Sequence, residues 1–237
     1  MSTIMSVSII INGLQLAENL GMIARVMYNF DIHSLKLINP NKGIFSQLAY
    51  NAAKGASHIL DNAQIFKDEI SALADNTIVF AFSARERNFN KQFCELNNIK
   101  QHINLQYDNV GLFFGSERNG LSNQSLQYAN YLVRIPTITD FSSLNISHSI
   151  AIACYMYNQM LISNNEAPKT KYNRATAAEL NYFFNLLESK LEENNFFSVK
   201  EKQAKMLLNI KEIFLRNNLT TQEVKTLLGV VNFLSKN

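Results

Sequence analysis

The chain has 237 residues, of which 47% are hydrophobic and 17% charged, so it can bury a sizeable core and is not a disordered protein. Its net charge of +3 is too small for a surface coated with positive charge. The whole excess lies in residues 166–237, which carry 11 basic and 8 acidic side chains, whereas residues 1–165 carry 11 of each.

Cysteine usage and hydropathy indicate a protein of the cytoplasm. Cys94 and Cys154 cannot form a disulfide framework, and no cysteine or histidine near either of them has the spacing of a zinc site. The amino-terminal residues lack the basic segment of a signal peptide, and no stretch reaches the roughly eighteen apolar residues that a membrane span needs. We therefore expect no export, no membrane insertion and no bound metal.

Short apolar runs alternate with helical patterns through the first two thirds of the chain, which is typical of a parallel sheet with helices on both faces. Strands are predicted at Ser6–Ile11, Ser34–Ile38, Asn76–Phe82, Val110–Phe114 and Tyr131–Ile135. Helices are predicted at about Asn19–Phe30, Gln47–Ala53, Asn62–Leu73, Asn123–Ala129 and Ser143–Ile162. The fold class is therefore α/β, and residues 1–165 are expected to form this domain.

Residues 166–237 are expected to form a helical C-terminal extension. Residues 163–170 are polar and contain Pro168, as a linker does. Three pairs of residues then have the spacing of a capping box, in which Ser or Thr stands three residues before Glu at a helix start. The pairs are Thr176 with Glu179, Ser198 with Glu201, and Thr220 with Glu223. The extension is thus predicted to contain about three helices.

A first group of candidate functional residues follows the first predicted strand. In the segment 19–25, Asn19 is placed to cap a helix, Gly21 allows close approach of another segment, and Arg25 lies further along the helix. Parallel α/β sheets bind ligands at this edge, where strands end and helices begin. The alternative is a capped helix with an exposed arginine.

A second group is the segment 115–121, directly after the apolar strand Val110–Phe114. A turn that contains Gly115 and Gly120 can present backbone N–H groups to a ligand. Leu121 stands where a Walker-type phosphate loop needs lysine, so that motif is excluded. A tight turn with a surface Glu/Arg pair is the alternative.

A third group lies between the last predicted strand and the long apolar helix. Ser142, Ser143 and Asn145 cluster at the predicted helix start and exceed what one helix cap requires. A smaller segment, residues 82–85, ends the third predicted strand and forms either a plain loop or one wall of a pocket.

Together these segments resemble motifs of the SpoU/TrmH family of RNA ribose 2′-O-methyltransferases in the SPOUT superfamily. Residues 19–25 match its N-x-G-x-x-x-R motif, residues 114–121 its F-G-x-E-x-x-G-L motif, and residues 142–145 its S-S-L-N motif. The chain looks most like the TrmJ group of tRNA methyltransferases, because residues 82–85 resemble its T-S-A-R and residues 121–123 its L-T-N. Phe82 departs from that pattern, where threonine is usual. The resemblance covers residues 6 to about 162.

The resemblance implies a C-terminal trefoil knot in the α/β domain, a homodimer with the active site at the subunit interface, and S-adenosyl-L-methionine as cofactor. It implies that Arg25 is the catalytic residue. The residues implied around the reacting ribose are Asn19, Glu117, Ser143 and Asn145. The implied cofactor contacts, largely through backbone atoms, are Phe82, Ser83, Ala84, Gly115, Ile135, Ser142, Ser143 and Leu144. The implied substrate is tRNA, at a cytidine or uridine in position 32 of the anticodon loop.

Methyl transfer to a 2′-hydroxyl requires that the hydroxyl lose its proton while it attacks in line, so positioning and charge stabilisation are expected to dominate catalysis. Arginine side chains are poor bases because the guanidinium holds its proton. Arg25 is therefore interpreted as a ligand of the adjacent phosphate or of the developing alkoxide. The family proposal that this arginine accepts the proton is the alternative.

The extension is the candidate tRNA-binding surface, because residues 1–165 have no excess of positive charge. Its candidate residues are Lys169, Lys171, Arg174, Lys200, Lys202 and Lys205. Packing within a dimer is the alternative role for the extension. The competing functions are an rRNA or other-site methyltransferase of the same family, a catalytically silent RNA-binding dimer, and an unrelated nucleotide-binding α/β module.

Overall fold

A computed structural model describes residues 6–84, 91–104, 107–162, 173–197 and 200–235. Within these ranges seven strands form one sheet, in the order β3-β2-β1-β6-β4-β7-β5, and neighbouring strands are parallel. The strands are β1 Val7–Asn12, β2 Ser34–Ile38, β3 Gln64–Phe66, β4 Ile78–Phe82, β5 Phe93–Glu95, β6 Val110–Phe114 and β7 Tyr131–Arg134. The prediction of a parallel α/β sheet is confirmed.

Helices cover both faces of this sheet. They are α1 Ala17–Asn29, α2 Gln47–Ala53, α3 Ser57–Asp61, α4 Glu69–Leu73, α5 Asn123–Leu126 and α6 Ile146–Ile162, followed in the extension by α7 Ala177–Glu193, α8 Lys200–Leu215 and α9 Thr221–Leu234. Two 3₁₀ helices lie at Leu96–His102 and Thr139–Phe141.

The central strands are largely apolar because both of their faces are buried. In β1, Ile9 and Ile11 pack in one core with side chains of α1 and α6, whereas Ile10 packs in a second core with side chains of α4 and α5. All three isoleucines are fully buried. Largely apolar runs of this kind are expected in parallel sheets covered on both sides.

The predicted helix at residues 62–73 is wrong. This stretch contains the edge strand β3 and the short helix α4, which begins where the Asp68 side chain accepts a hydrogen bond from the Ser71 amide at 2.8 Å. The strand β5 was not predicted. Strand β3 forms by pairing with β2, and strand β5 forms by pairing with β7. Each of them is only three residues long, which is too short to show a strand periodicity in the sequence.

The predicted start of the long apolar helix is also wrong by three residues. Helix α6 begins at Ile146 instead of Ser143, because Thr139–Phe141 forms its own short 3₁₀ helix before it. The side-chain oxygen of Asn145 accepts hydrogen bonds from the Ser147 amide at 2.8 Å and the Ser147 hydroxyl at 2.7 Å, and so caps α6.

The extension forms a helical unit with a small core of its own. Two of the predicted capping boxes, Thr176 with Glu179 and Thr220 with Glu223, are present at the starts of α7 and α9. The third predicted pair begins at Ser198, which lies outside the described residues. The buried side chains of this core are Ala175, Leu180, Phe183, Phe184, Leu215 and Val224.

The extension is docked against the α/β part of the chain. The Ala177 amide donates to the Asn76 carbonyl at 2.9 Å, and the Lys91 ammonium lies 2.5 Å from the Glu212 carboxylate in a buried ion pair. Arg174 donates to the His102 carbonyl at 2.8 Å. Arg174, one of the residues considered for RNA binding, is thus engaged in this docking.

Gly21 brings α1 and α2 into close contact. A Cβ atom at this position would lie 2.1 Å from the Ala49 carbonyl oxygen and 2.6 Å from the Ala52 Cβ.

Gly21→Ala is therefore expected to lower the free energy of unfolding by about 2 kcal/mol, measured by chemical denaturation, because two helices must move apart. Gly229→Ala in α9 is the matched control, since no atom lies within 4 Å of its Cβ position. The control is expected to raise stability by about 0.5 kcal/mol, and an equal loss in both variants would contradict this explanation.

None of the helices in the described ranges is long and apolar enough to cross a membrane.

Candidate active site

A cleft of about 300 Å³ opens at the carboxyl ends of β4, β6 and β7. Its walls are formed by the segment after β4, the turn after β6 and the chain between β7 and α6. Eight of its lining residues are those inferred as cofactor contacts: Phe82, Ser83, Ala84, Gly115, Ile135, Ser142, Ser143 and Leu144. Segments that are far apart in the sequence thus meet at the edge where parallel α/β sheets bind ligands.

Two stacked phenylalanine rings form an apolar part of the cleft wall. The ring centroids of Phe82 and Phe114 lie 4.5 Å apart with an angle of 14° between the planes. Both side chains are buried and both line the cleft. Phe82 departs from the threonine of the resembled group, and its stacking on Phe114 gives that departure a structural explanation.

The turn after β6 requires both of its glycines. A Cβ atom on Gly115 would lie 1.9 Å from the carbonyl carbon of Gly120 and 2.1 Å from the Leu121 nitrogen, and neither backbone atom can yield. Gly120 has a φ of +64°, and its amide donates to the Ser116 carbonyl at 2.9 Å. The turn therefore closes tightly on itself beside the cleft.

Glu117 connects this turn to the start of α1. Its carboxylate accepts hydrogen bonds from the Gln15 and Leu16 amides, each at 3.0 Å, and from the Asn19 side-chain amide at 3.1 Å. A carboxylate in this position satisfies free N–H groups at a helix N-terminus and interacts favourably with the helix dipole. The prediction that Asn19 caps the helix is wrong, because α1 begins two residues earlier and Glu117, about one hundred residues away, supplies the cap.

Asn145 joins the third motif to the other two. Its side-chain amide donates to the Asn19 side-chain oxygen at 3.1 Å. Asn19 is buried, so its partners determine its orientation. Glu117, Asn19 and Asn145 consequently form one continuous hydrogen-bonded chain. Glu117 and Ser143 also line the cleft, whereas Asn19 and Asn145 are not among its lining residues.

The structure does not bring Arg25 to the cleft of its own chain. Arg25 is exposed, and it has no hydrogen bond or ion pair with any other described residue. It follows Asn19 by six positions on α1, so the two side chains point about 120° apart around the helix axis. Arg25 therefore does not follow Asn19 towards Glu117, and it is not among the residues that line the cleft.

The cysteines do not provide a reactive thiolate at the site. Burial raises the pKa of Cys94 to about 11, with a smaller contribution from Glu95, and burial raises the pKa of Cys154 to about 12. Among the described residues, no cluster of three histidine, cysteine or acidic side chains is arranged to hold a metal ion. The polar groups of the cleft are therefore hydroxyls, backbone amides and the side chains of the turn after β6.

Comparison with known proteins identifies relatives that match nearly the whole chain. A model of the SpoU rRNA Methylase family matches residues 6–155. The tRNA (cytidine/uridine-2'-O-)-methyltransferase TrmJ of Citrobacter koseri is 30% identical over 223 residues, which are 90% of this chain and 89% of that protein. The crystal structure of TrmJ from Z. mobilis ZM4 has a TM-score of 0.85 and 29% identity, and the match covers 96% of this chain and 98% of that one.

A second relative is the tRNA (cytidine-2'-O-)-methyltransferase TrmJ of Methanocaldococcus jannaschii, which is 32% identical over 155 residues, 64% of this chain and 67% of that protein. These matches confirm the resemblance inferred from the three motifs and the use of S-adenosylmethionine that it implied. The chain therefore belongs to the SpoU rRNA Methylase family and is an S-adenosylmethionine-dependent RNA 2′-O-methyltransferase.

Proposed function

We propose that this protein methylates the ribose 2′-hydroxyl of tRNA at nucleotide 32 of the anticodon loop, where cytidine or uridine stands. The observation that carries the proposal is the extent of the similarity to TrmJ proteins. The matches to the C. koseri and Z. mobilis proteins cover 90% and 96% of this chain, so they include much of the helical extension as well as the α/β domain.

The volume and the lining of the cleft support the binding of S-adenosylmethionine there. The buried rings of Phe82 and Phe114 give the cleft an apolar wall against which an adenine base can pack. The hydroxyls of Ser142 and Ser143 and the backbone of the turn after β6 offer polar contacts at the rim. When bound, S-adenosylmethionine supplies an electrophilic methyl group for the reaction.

The residues around the cleft then act by positioning the ribose. The Glu117–Asn19–Asn145 chain holds the turn after β6, the start of α1 and the start of α6 in one arrangement. A fixed arrangement favours in-line attack by the 2′-hydroxyl, because the reacting groups lose little further freedom in the transition state. Arg25 binds the adjacent phosphate or the developing alkoxide through its planar guanidinium.

Arg25 performs this role in a homodimer, in which it comes from the other subunit. Its exposure, and its absence from the lining of the cleft in its own chain, support this arrangement. Large apolar side chains are exposed on α1, on α6 and on the segment between β7 and α6, as expected for a surface covered by a second subunit. They are Leu16, Met22, Ile138, Phe141, Leu144 and Tyr155.

The same proposal includes the trefoil knot. Strand β7 lies between β4 and β5 in the sheet, although it follows both of them in the chain. The residues after β7 line the cleft beside Phe82, Ser83 and Ala84, before α6 packs on α1. This strand order is compatible with a threaded chain, which is a rare exception among folds.

The function is tested by methyl transfer from labelled S-adenosylmethionine to tRNA transcripts with cytidine or uridine at position 32, followed by mapping of the methylated ribose. A transcript with a 2′-deoxyribose at position 32 is the matched control, because it lacks only the acceptor hydroxyl. Methylation of both ribose transcripts and none of the control is expected. Transfer to the control would show that another position is methylated. Transfer to ribosomal RNA in preference to tRNA would identify a different substrate. RNA binding without methyl transfer would indicate a catalytically silent dimer.

The basic extension is the proposed tRNA-binding surface. Lys202 and Lys205 are exposed on α8, whereas Lys169 and Lys171 lie outside the described residues. A plot of the logarithm of the tRNA-binding constant against the logarithm of the salt concentration has a negative slope. Replacing Lys202 and Lys205 by alanine is expected to reduce the magnitude of this slope by about 1.5, because two phosphate contacts disappear. Lys67 and Lys100, both exposed on the α/β domain, are the control pair. An unchanged slope in the α8 variant would assign the extension to packing instead.

A further inference from the structure

A second hydrogen-bonded cluster lies at the carboxyl edge of the sheet, outside the three motifs. The Glu69 carboxylate of α4 accepts a hydrogen bond from the Asn12 side-chain amide at 2.9 Å and another from the Ser125 hydroxyl at 2.7 Å. The Ser125 hydroxyl in turn lies 2.8 Å from that of Ser122. Asn12 ends β1, and Ser122 is the residue directly before α5.

The direction of these hydrogen bonds follows from the number of hydrogens present. A hydroxyl has one hydrogen, and Ser125 gives its hydrogen to Glu69, which as a carboxylate can only accept. The Ser122 hydroxyl therefore donates to Ser125, while its oxygen accepts the Ser125 amide at 2.9 Å and so caps α5. Glu69 thus sets the orientation of both serine hydroxyls.

This cluster holds the far end of the turn that lines the cleft. Ser122 follows the turn after β6 by one residue, the buried Leu121. At its other side the turn is held by Glu117, through the start of α1. The two sets of hydrogen bonds involve helices on opposite faces of the sheet, since α1 contributes to one core and α4 with α5 to the other.

Glu69 is only partly exposed, while Ser125 is almost completely buried. A buried hydroxyl that loses its acceptor turns to another partner or stays unsatisfied at a cost in free energy. Without Glu69, the Ser125 hydroxyl has the Ser122 oxygen as its nearest alternative acceptor. That change would compete with the cap of α5 and loosen the end of the turn. The pKa of nearby Tyr128 is raised by burial and by the carboxylates Glu69 and Asp68.

We propose that Glu69 is a positioning residue for methyl transfer, which acts through Ser125 and Ser122 to hold the turn after β6 in the conformation that binds S-adenosylmethionine. Glu69 does not itself line the cleft. The inference rests on the proposed placement of S-adenosylmethionine in this cleft. It adds a residue of α4, outside all three motifs, to the groups that determine the affinity for the donor.

The test is the affinity of the full-length protein for S-adenosylhomocysteine, measured by calorimetry in the absence of RNA. Glu69→Ala is expected to weaken binding about tenfold, which corresponds to about 1.4 kcal/mol. Glu69→Gln keeps a neutral acceptor for the Ser125 hydroxyl and is expected to restore binding to within about threefold of the original protein.

Asp68→Ala is the matched control on the same helix. Asp68 caps α4 by accepting from the Ser71 amide, and this backbone hydrogen bond, with the Ser71 side chain, lowers the pKa of Asp68. Its removal weakens α4 but leaves intact the hydrogen bond that the Ser125 hydroxyl donates to Glu69. Asp68→Ala is expected to lower the melting temperature and leave the affinity for S-adenosylhomocysteine unchanged.

Three outcomes would overturn the inference: unchanged affinity in Glu69→Ala, an equal loss in Asp68→Ala, or no recovery in Glu69→Gln. If Glu69→Ala does not fold, Ser125→Ala replaces it, because it removes the same connection with the loss of one oxygen atom. Unchanged affinity in that variant overturns the inference as well. Failure of the original protein to bind S-adenosylhomocysteine would instead contradict the proposed function of the cleft.

Discussion

Arg25→Lys is expected to lower the turnover of methyl transfer by at least about a hundredfold, because lysine keeps the charge but loses the planar fork that contacts two oxygen atoms at once. The loss should appear in kcat more than in KM for the donor, since Arg25 does not line the donor cleft of its own chain. The measurement is single-turnover methyl transfer to tRNA. Stability should be unchanged, because Arg25 is exposed and makes no polar contact with other described residues.

The same variant tests whether the active site is shared between subunits. Gly115→Ala should destroy the cleft of its own chain, because the added Cβ would overlap the backbone of Gly120 and Leu121. When the Gly115→Ala and Arg25→Lys proteins are mixed, some dimers should contain one subunit of each. In these heterodimers the intact cleft of the Arg25→Lys subunit is combined with the intact Arg25 of the Gly115→Ala subunit. Recovery of up to about a quarter of the original activity is expected from random pairing. No recovery would contradict an arginine contributed in trans, and near-normal turnover of Arg25→Lys alone would contradict a bidentate contact.

Glu117→Ala is expected to reduce methyl transfer by about a hundredfold and stability by about 2 kcal/mol. The substitution leaves the Gln15 and Leu16 amides without their acceptor and frees the side chain of Asn19. The two effects have one cause, because the carboxylate that caps α1 also aligns the Asn19–Asn145 connection to α6. Activity is measured at saturating donor, and stability by chemical denaturation.

Glu18→Ala is the control for Glu117. Glu18 is an exposed carboxylate in the first turn of the same helix, so it shares the interaction with the helix dipole but makes no connection between motifs. A loss of no more than about 0.5 kcal/mol and nearly normal activity are expected. If Glu117→Ala lost stability but kept its turnover, Glu117 would be a helix cap with no part in catalysis.

The features that sequence reasoning predicted correctly are those determined by neighbouring residues. The buried strands β1, β4 and β6 are mostly apolar runs, and the caps at Thr176 and Thr220 need only a glutamate three residues later. The residues inferred as cofactor contacts were chosen for another reason. Their motifs resemble those of a known family, whereas the rule that ligands bind at the carboxyl ends of parallel strands indicated only the edge of the sheet on which residues 82–84, 115 and 142–144 lie.

The short strands β3 and β5 could not be predicted, because their pairing partners are distant in the sequence and three residues show no period. The start of α1 was misplaced for the same reason, since its cap comes from Glu117.

The sequence by itself determined that this chain is an α/β protein with a helical extension, and it identified the three motifs, because apolar runs, capping spacings and motif residues are local. Only the tertiary structure decided that Glu117, Asn19 and Asn145 form one hydrogen-bonded chain and that Arg25 is not among the residues that line the cleft beside them. Hydrogen bonds between residues about one hundred positions apart depend on how the strands are ordered in the sheet. That order results from packing of the whole core, which no local pattern encodes.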